Sequence, residues 1–297
     1  MGPIRSRIPS ASAVEEDIVS AKPFLKWVGG KRQLADRIVP LLLPYLSEDG
    51  CYHEPMVGGG AIFFALRNAG YTGYASLSDS NQVLLDTYVS IRDHSESVIQ
   101  ELSELRYDRE LYYEMREHGP PGERYRNAAW MIYMNRCCFN GLWRVNKSGK
   151  FNVPFGDYDD PRILDAENLR ACSLALQNTS VALFACGFET SAKRAMAGDV
   201  VYFDPPYVPL SKTSDFTSYD KDGFGPKEQS KLRDVAKDLV DRRVHVVLSN
   251  SSAPAVYDLY ADKDYFEIRE VEARRNVNSK GDRRGNVKEV IIVGKNT

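Results

Sequence analysis

The chain reads as an α/β protein whose open, mostly parallel sheet is split by an inserted, mostly helical module. Three stretches carry this reading. Residues 51–79 run strand, glycine-rich turn, apolar helix, strand. Residues 180–293 return to strand–helix alternation. Between them, from about 82 to 165, helical spacing dominates and ends in one hairpin. The 297 residues suffice for one large or two modest domains. A hydrophobic content of 43% and a charged content of 27% are those of an ordinary soluble protein.

Composition also excludes some classes. The formal net charge of −2 does not advertise a nucleic-acid binder, so any basic surface must be local. The five cysteines stand at 51, 137, 138, 172 and 186 with no CxxC pair, and the four histidines are scattered. That argues against a zinc site and for reduced thiols in a cytoplasmic protein. No apolar run approaches membrane-spanning length. Residues 1–21 include Glu15-Glu16-Asp17 and lack an apolar signal core, so they read as a disordered leader.

Taken in order, Lys26-Trp27-Val28-Gly29-Gly30-Lys31 precedes a helix expected over 31–39. Two glycines and a lysine at a helix start suit an anion, and suit a plain surface turn equally well. Cys51 to Glu54 forms a strand, and Gly58-Gly59-Gly60 turns into the apolar helix from Ala61, closed by Gly70. A dinucleotide fingerprint would need glycine where Phe63 stands. The second strand, Tyr74 to Ser78, ends in Asp79, 19 positions after Gly60. A carboxylate there suits a ribose diol, and it also suits a cap for a helix over 81–92.

Further helices are expected over 95–106, 109–117 and 124–139. A hairpin follows between 140 and 160 with Lys147-Ser148-Gly149 as its turn. Arg144, Lys147 and Lys150 are unopposed by any acid in that interval, and Trp143, Phe151, Phe155 and Tyr158 lie among them. Cations with aromatics suit a nucleic-acid backbone and its bases, although a solvated hairpin is the simpler reading of composition alone.

Strands are then expected at 180–185, 200–203 and 244–249, helices at 189–196 and 226–242, and a closing hairpin near 265–273 and 287–293. The closing connection holds Arg274, Arg275, Lys280, Arg283, Arg284 and Lys288 against the single acid Asp282. That suits phosphate, or a merely solvated loop. The run Val200-Val201-Tyr202-Phe203 ends in Asp204-Pro205-Pro206-Tyr207. The prolines stop the strand and hold Asp204 extended, which makes a stiff corner at a strand's carboxyl end, where open α/β sheets bind ligands. One carboxylate, one aromatic face and proline carbonyls are what an exocyclic amino group on a flat ring requires. The same four residues can also form an ordinary strand-ending turn.

Six motifs in one order raise the ligand readings above the bland ones. Lys26 to Lys31, Glu54-Pro55-Met56-Val57-Gly58-Gly59-Gly60, Asn135-Arg136, Phe139 to Arg144, Phe151 to Gly156 and Asp204 to Tyr207 together resemble the Dam-type DNA adenine methyltransferases, from about residue 22 to 293. The resemblance implies a seven-stranded Rossmann-like methyltransferase sheet at 22–81 and 166–297, with a target-recognition domain at 82–165. It implies S-adenosylmethionine as cofactor, double-stranded DNA as partner, no metal, and a monomer in solution of which more than one copy can occupy DNA. The activity would be methylation of adenine N6, in GATC, by base flipping and direct in-line transfer.

The family pattern also assigns residues. Trp27, Lys31, Glu54, Gly58, Gly60, Asp79 and Asp204 would surround the cofactor. Asp204, Pro205, Pro206 and Tyr207 would hold the target base, with Tyr207 stacked on the flipped adenine. Arg144 would read the first guanine beside Leu142, and Tyr158 would enter the base stack. Beyond the family pattern, Lys147, Lys150, Arg274, Arg275, Arg283 and Arg284 are expected DNA contacts from their charge, with Asn140 and Pro154 beside them. Met56, Cys137-Cys138 and Trp143 depart from the usual pattern and bear on the target sequence more than on the reaction. A cytosine-amino methyltransferase, an RNA or protein methyltransferase, and an inactive DNA-binding regulator are the rival readings.

Overall fold

A computed structural model describes residues 20–177, 181–210, 223–274 and 286–295. Its centre is a seven-stranded sheet. The strands are β1 (Cys51–Glu54), β2 (Tyr74–Asp79), β3 (Val181–Ala185), β4 (Val200–Phe203), β5 (His245–Ser251), β6 (Phe266–Arg274) and β7 (Asn286–Gly294). Their spatial order is β3-β2-β1-β4-β5-β7-β6. β1 pairs in parallel with both β2 and β4, so the winding direction reverses between β1 and β4. That reversal opens a crevice at the carboxyl ends of these two strands. Only β7 runs antiparallel, to β5 on one side and β6 on the other, as the expected closing hairpin.

β4 is buried along its whole length, as its unbroken apolar run requires. Strand alternation divides it between two layers. Val200 and Tyr202 pack on one face; Val201 and Phe203 pack on the other. The second face is covered by α7 (Phe188–Ala192), α8 (Pro226–Asp241) and α9 (Pro254–Leu259). The first carries α1 (Ala35–Leu42), α2 (Ala61–Asn68), α3 (Gln82–Ser103), α4 (Arg109–His118), α5 (Arg124–Cys137) and α6 (Ala166–Gln177). Among the described residues these helices share one core with the sheet. Leu77 of β2, Tyr88 of α3 and Met131 of α5 belong to one apolar cluster.

Four expectations change. The helices expected over 81–92 and 95–106 are one element, kinked at His94 (φ −141°, ψ 36°). Its cap is Asn81, whose side chain accepts from the Leu84 N–H, so Asp79 is not the helix cap. The helix expected over 31–39 begins as a 3₁₀ turn at Lys31–Gln33 and becomes α-helical at Ala35. α6 has no counterpart among the expected helices, because its buried face relies on small, weakly apolar groups such as Ala171, Cys172 and Ser173.

The leader is expected to run through residue 21, yet Ala21 is already buried in the core. From there the extended segment to Lys26 is held by three asparagines on three helices. Asn68, Asn168 and Asn135 accept from the N–H of Ala21, Lys22 and Lys26 at 3.1, 2.8 and 2.7 Å. Their amide nitrogens donate back to the carbonyls of the same residues at 2.8, 2.9 and 3.0 Å. Each amide thus stands in for a neighbouring strand, and a segment outside the sheet keeps its backbone satisfied. This lashing sets where Trp27 and Lys31 lie.

Candidate active site

The corner after β4 sits at the crevice between β1 and β4. Asp204 Oδ1 receives the Lys31 ammonium at 2.9 Å and the Ser249 hydroxyl at 3.0 Å. Ser249 Oγ lies 2.8 Å from the hydroxyl of Tyr202. Burial pushes the Asp204 carboxyl above its ordinary range, and Lys31 and Ser249 oppose that push. The Lys31 ammonium also stands 4.3 Å from the centre of the Tyr207 ring and bonds the Gly29 carbonyl. Lys31 therefore faces the corner itself. Pro205 is buried and Pro206 exposed. The two proline carbonyls differ: that of Pro206 accepts from Gln229 Nε2 at 2.7 Å, whereas nothing among the described residues donates to that of Pro205. Among the described residues the Pro205 carbonyl is thus the one of the two left open to a ligand. The Tyr207 hydroxyl donates to Glu289 Oε2 at 2.7 Å, a partner that sequence reasoning missed.

On the other side of the crevice Glu54 ends β1, fully buried. Its Oε2 accepts from the Tyr52 hydroxyl at 2.8 Å and the Phe63 N–H at 3.1 Å. Burial, with Asp204 nearby, pushes its carboxyl up to about 8. Asp79 ends β2, and its two oxygens accept from the N–H of Gly58 at 3.1 Å and of Asn81 at 3.0 Å. Gly58 and Gly60 both adopt positive φ (47° and 70°). Their lack of a side chain is used by the protein itself: a Cβ on Gly58 would lie 2.7 Å from the Trp27 indole, and one on Gly60 2.5 Å from the Tyr88 hydroxyl. That hydroxyl donates to the Gly58 carbonyl at 3.0 Å.

The hairpin follows α5 and a 3₁₀ turn at Phe139–Gly141. Val145 pairs with Phe151, and Asn146 organises the turn by accepting from the N–H of Ser148 and Lys150. Arg144, Lys147 and Lys150 are exposed. The Arg144 fork rests on Asn152, on its side-chain oxygen at 2.7 Å and its carbonyl at 3.1 Å. Asn140 is exposed at positive φ (55°), Leu142 is half-buried, and exposed Pro154 accepts from the Phe139 N–H. Tyr158 is not a free wedge: its hydroxyl donates to the Cys138 carbonyl at 2.9 Å and the Lys26 ammonium caps its ring at 4.0 Å. The exposed aromatic here is Phe139, 45% accessible, which the motif Phe139 to Arg144 contains but to which no DNA contact is assigned. Arg275, Arg283, Arg284 and the Arg274 side chain lie outside the described residues.

Comparison with known proteins decides the family. The model for D12 class N6 adenine-specific DNA methyltransferases matches residues 27–277. The chain belongs to this family. A Type II methyltransferase of Lactococcus lactis subsp. cremoris is 39% identical over 288 residues, covering 94% of this chain and 97% of the relative. A Type II methyltransferase of Methanocaldococcus jannaschii is 38% identical over 283 residues, with 90% and 96% covered. The DNA adenine methylase of Escherichia coli is 34% identical over 283 residues, with 92% and 95% covered.

This D12-class enzyme thus methylates adenine in DNA with S-adenosylmethionine as donor, and its crevice fits that group. The half-buried Asp79 carboxylate accepts backbone N–H groups, among them those of Gly58 and Asn81, and retains acceptor capacity for a hydroxyl. Trp27 lies against the glycine turn, and the Asp204 carboxylate suits a positively charged sulfur. Bound there, S-adenosylmethionine supplies a methyl group activated by that charge. Among the described residues no group of three or more His, Cys, Asp or Glu is placed to hold a metal, and no helix is long and apolar enough to cross a membrane.

Proposed function

We propose that this enzyme methylates the adenine of GATC in duplex DNA after turning that adenine out of the helix. The observation that carries the reading is the state of Asp204. Both of its described partners occupy Oδ1, and the carbonyl of Pro205 next to it has no donor among the described residues. Oδ2 and that carbonyl together match the two hydrogens of an exocyclic amino group. An adenine amino nitrogen is a poor nucleophile because its lone pair is delocalised into the ring. Accepting both hydrogens favours a tetrahedral nitrogen and makes the pair available, so catalysis is positioning and electrostatics. Tyr207 supplies the stacking face. A base inside the duplex cannot reach such a corner, which is the reason for flipping.

The proposed DNA face is the hairpin side of the inserted module. Lys26 touches Tyr158 at the hairpin base, and Lys31 touches Asp204. Five residues span at most roughly 18 Å, so recognition and chemistry lie within about one turn of duplex. Arg144 would grip guanine O6 and N7 by exchanging its bonds to Asn152 for bonds to the base. Lys147 and Lys150 would meet phosphate. Phe139, the exposed aromatic, is better placed than Tyr158 to enter the base stack.

The test is methylation of a plasmid carrying many sequence contexts, followed by mapping of modified bases. N6-methyladenine confined to GATC is expected with the parent enzyme and none with Asp204→Ala. Modification of another site, or of cytosine, would refute the target assignment.

A further inference from the structure

Glu289 has no place in the motifs that mark this family's pattern, yet it is bonded to the aromatic of the catalytic corner. The topology explains how it gets there. β7 runs opposite to the parallel strands, so its beginning, not its end, lies at their carboxyl edge. Glu289 stands opposite Ser251, the last residue of β5. Strand alternation puts Glu289 on the same side of β7 as Ile291, which packs with Tyr202 in the first apolar layer. Its neighbour Lys288 is engaged elsewhere, with Glu270 at 2.8 Å. Glu289 is half-buried and its Oε2 accepts the Tyr207 hydroxyl at 2.7 Å.

We infer that Glu289 is a positioning residue for the reaction: it holds the Tyr207 ring at the angle that stacks on the target base. The inference rests on the reading of Tyr207 given above. The ring is restrained at two places. The Lys31 ammonium lies over its face and Glu289 anchors its far end. A phenol has two side-chain torsions, so an anchored hydroxyl and a covered face leave the ring one orientation. The base takes a face of a ring whose hydroxyl is already anchored, and the bond to Glu289 is what keeps the ring in place as the base arrives. A hydrogen bond to a charged acceptor is strong enough to do this.

The experiment combines five variants of the purified full-length protein, one of them double, with a duplex carrying 2-aminopurine at the target position and a methylation assay. Glu289→Ala should lower kcat by about tenfold, the size expected for one charge-assisted hydrogen bond, with a smaller change in KM for DNA. Its melting temperature should stay close to the parent's. Glu289→Gln, which keeps an acceptor, should recover most of the loss. In the Tyr207→Phe background, Glu289→Ala should cause no further loss, because the hydroxyl it acts through is already gone. The 2-aminopurine signal of the flipped base should be less quenched in Glu289→Ala than in the parent. An equal loss from Glu289→Ala in both backgrounds, or no loss at all, overturns the inference. Tyr207→Ala separates the two layers of argument: if it is as active as the parent, the reading of Tyr207 falls. If Tyr207→Ala is inactive while Glu289→Ala is normal, only the role of Glu289 falls.

Discussion

Lys31 and Asp204 form a largely buried ion pair, 2.9 Å from ammonium to Oδ1, and Oδ1 also carries the Ser249 hydroxyl. Removing one member of a buried pair leaves the other uncompensated. Asp204→Ala should therefore abolish methyl transfer and also lower stability, by roughly 3–5 kcal/mol if Lys31 stays buried. DNA binding at native temperature should persist. Asp204→Asn keeps an acceptor for Ser249 and should be milder on melting while remaining inactive. Thermal melting with a methylation assay checks both, and turnover near the parent's in either variant would remove Asp204 from the chemistry.

The Asp79 carboxylate spans the glycine turn and the start of α3 through the N–H groups of Gly58 and Asn81. Asp79→Ala should weaken S-adenosylmethionine binding by about 1–3 kcal/mol, the range for leaving a hydrogen-bonding group unpaired. Titration calorimetry measures this directly. Unchanged affinity would restrict Asp79 to organising the turn.

Arg144 separates sequence reading from simple charge. Arg144→Ala should cost roughly 1–3 kcal/mol on GATC and relax discrimination at one base pair. Lys147→Ala and Lys150→Ala should instead slow all duplexes alike and reduce the salt dependence. Rates on GATC and on duplexes with the first pair replaced, over a range of salt, distinguish the two. A uniform slowing by Arg144→Ala would make it a phosphate contact.

Glu54 sets a pH dependence of stability. Its carboxyl is pushed up to about 8 in the folded chain, against an ordinary value of 4.5. The folded state then holds a proton that the unfolded state has released, so stability falls as pH rises from about 4.5 to about 8 and levels off above. Glu54→Gln, which is neutral throughout, should flatten this part of the curve. Chemical denaturation of both proteins at several values between about pH 5 and 9 reads the difference. Parallel curves would mean that Glu54 is ionised in the fold.

Asn135 is fully buried and makes three bonds, to the Lys26 N–H, the Lys26 carbonyl and the Gly141 carbonyl. A Cβ on Gly141 would lie 2.5 Å from that of Lys26, so the two segments are tightly opposed. Asn135→Ala should cost about 2–4 kcal/mol, since several backbone groups lose their partner in the interior. It should also raise KM for DNA, because the segment linking the hairpin base to Lys31 is released. A melting curve and steady-state kinetics test both parts. A stability loss without any change in KM would confine Asn135 to folding.

What is legible in the sequence is what local rules dictate. The apolar run at Val200 to Phe203 can only be a buried strand, and two prolines can only end it, so the Asp204 corner follows from the order of residues alone. The glycine turn and the acid ending β2 are legible for the same reason. Their purpose is less so: the glycines at 58 and 60 look like room for a ligand, and they are room for Trp27 and Tyr88. Asp79 also suits a helix cap, and a short shift along the chain gives that role to Asn81. Periodicity finds most of the helices, but a kink at His94 looks the same in sequence as a break between two.

The rest is decided only by the chain's return on itself. Asn68, Asn135 and Asn168 stand 47, 109 and 146 residues from the backbone they hold. Lys31 meets Asp204 across the crevice, and Glu289 reaches Tyr207 only because β7 enters the sheet in reverse. Composition and spacing describe neighbours along the chain. These pairings belong to the order and direction of strands, which the burial of whole faces selects. The sequence by itself determined which residues could do chemistry and which fold would hold them; the tertiary structure decided which groups restrain them, because hydrogen bonds between distant residues form only after the sheet has been assembled.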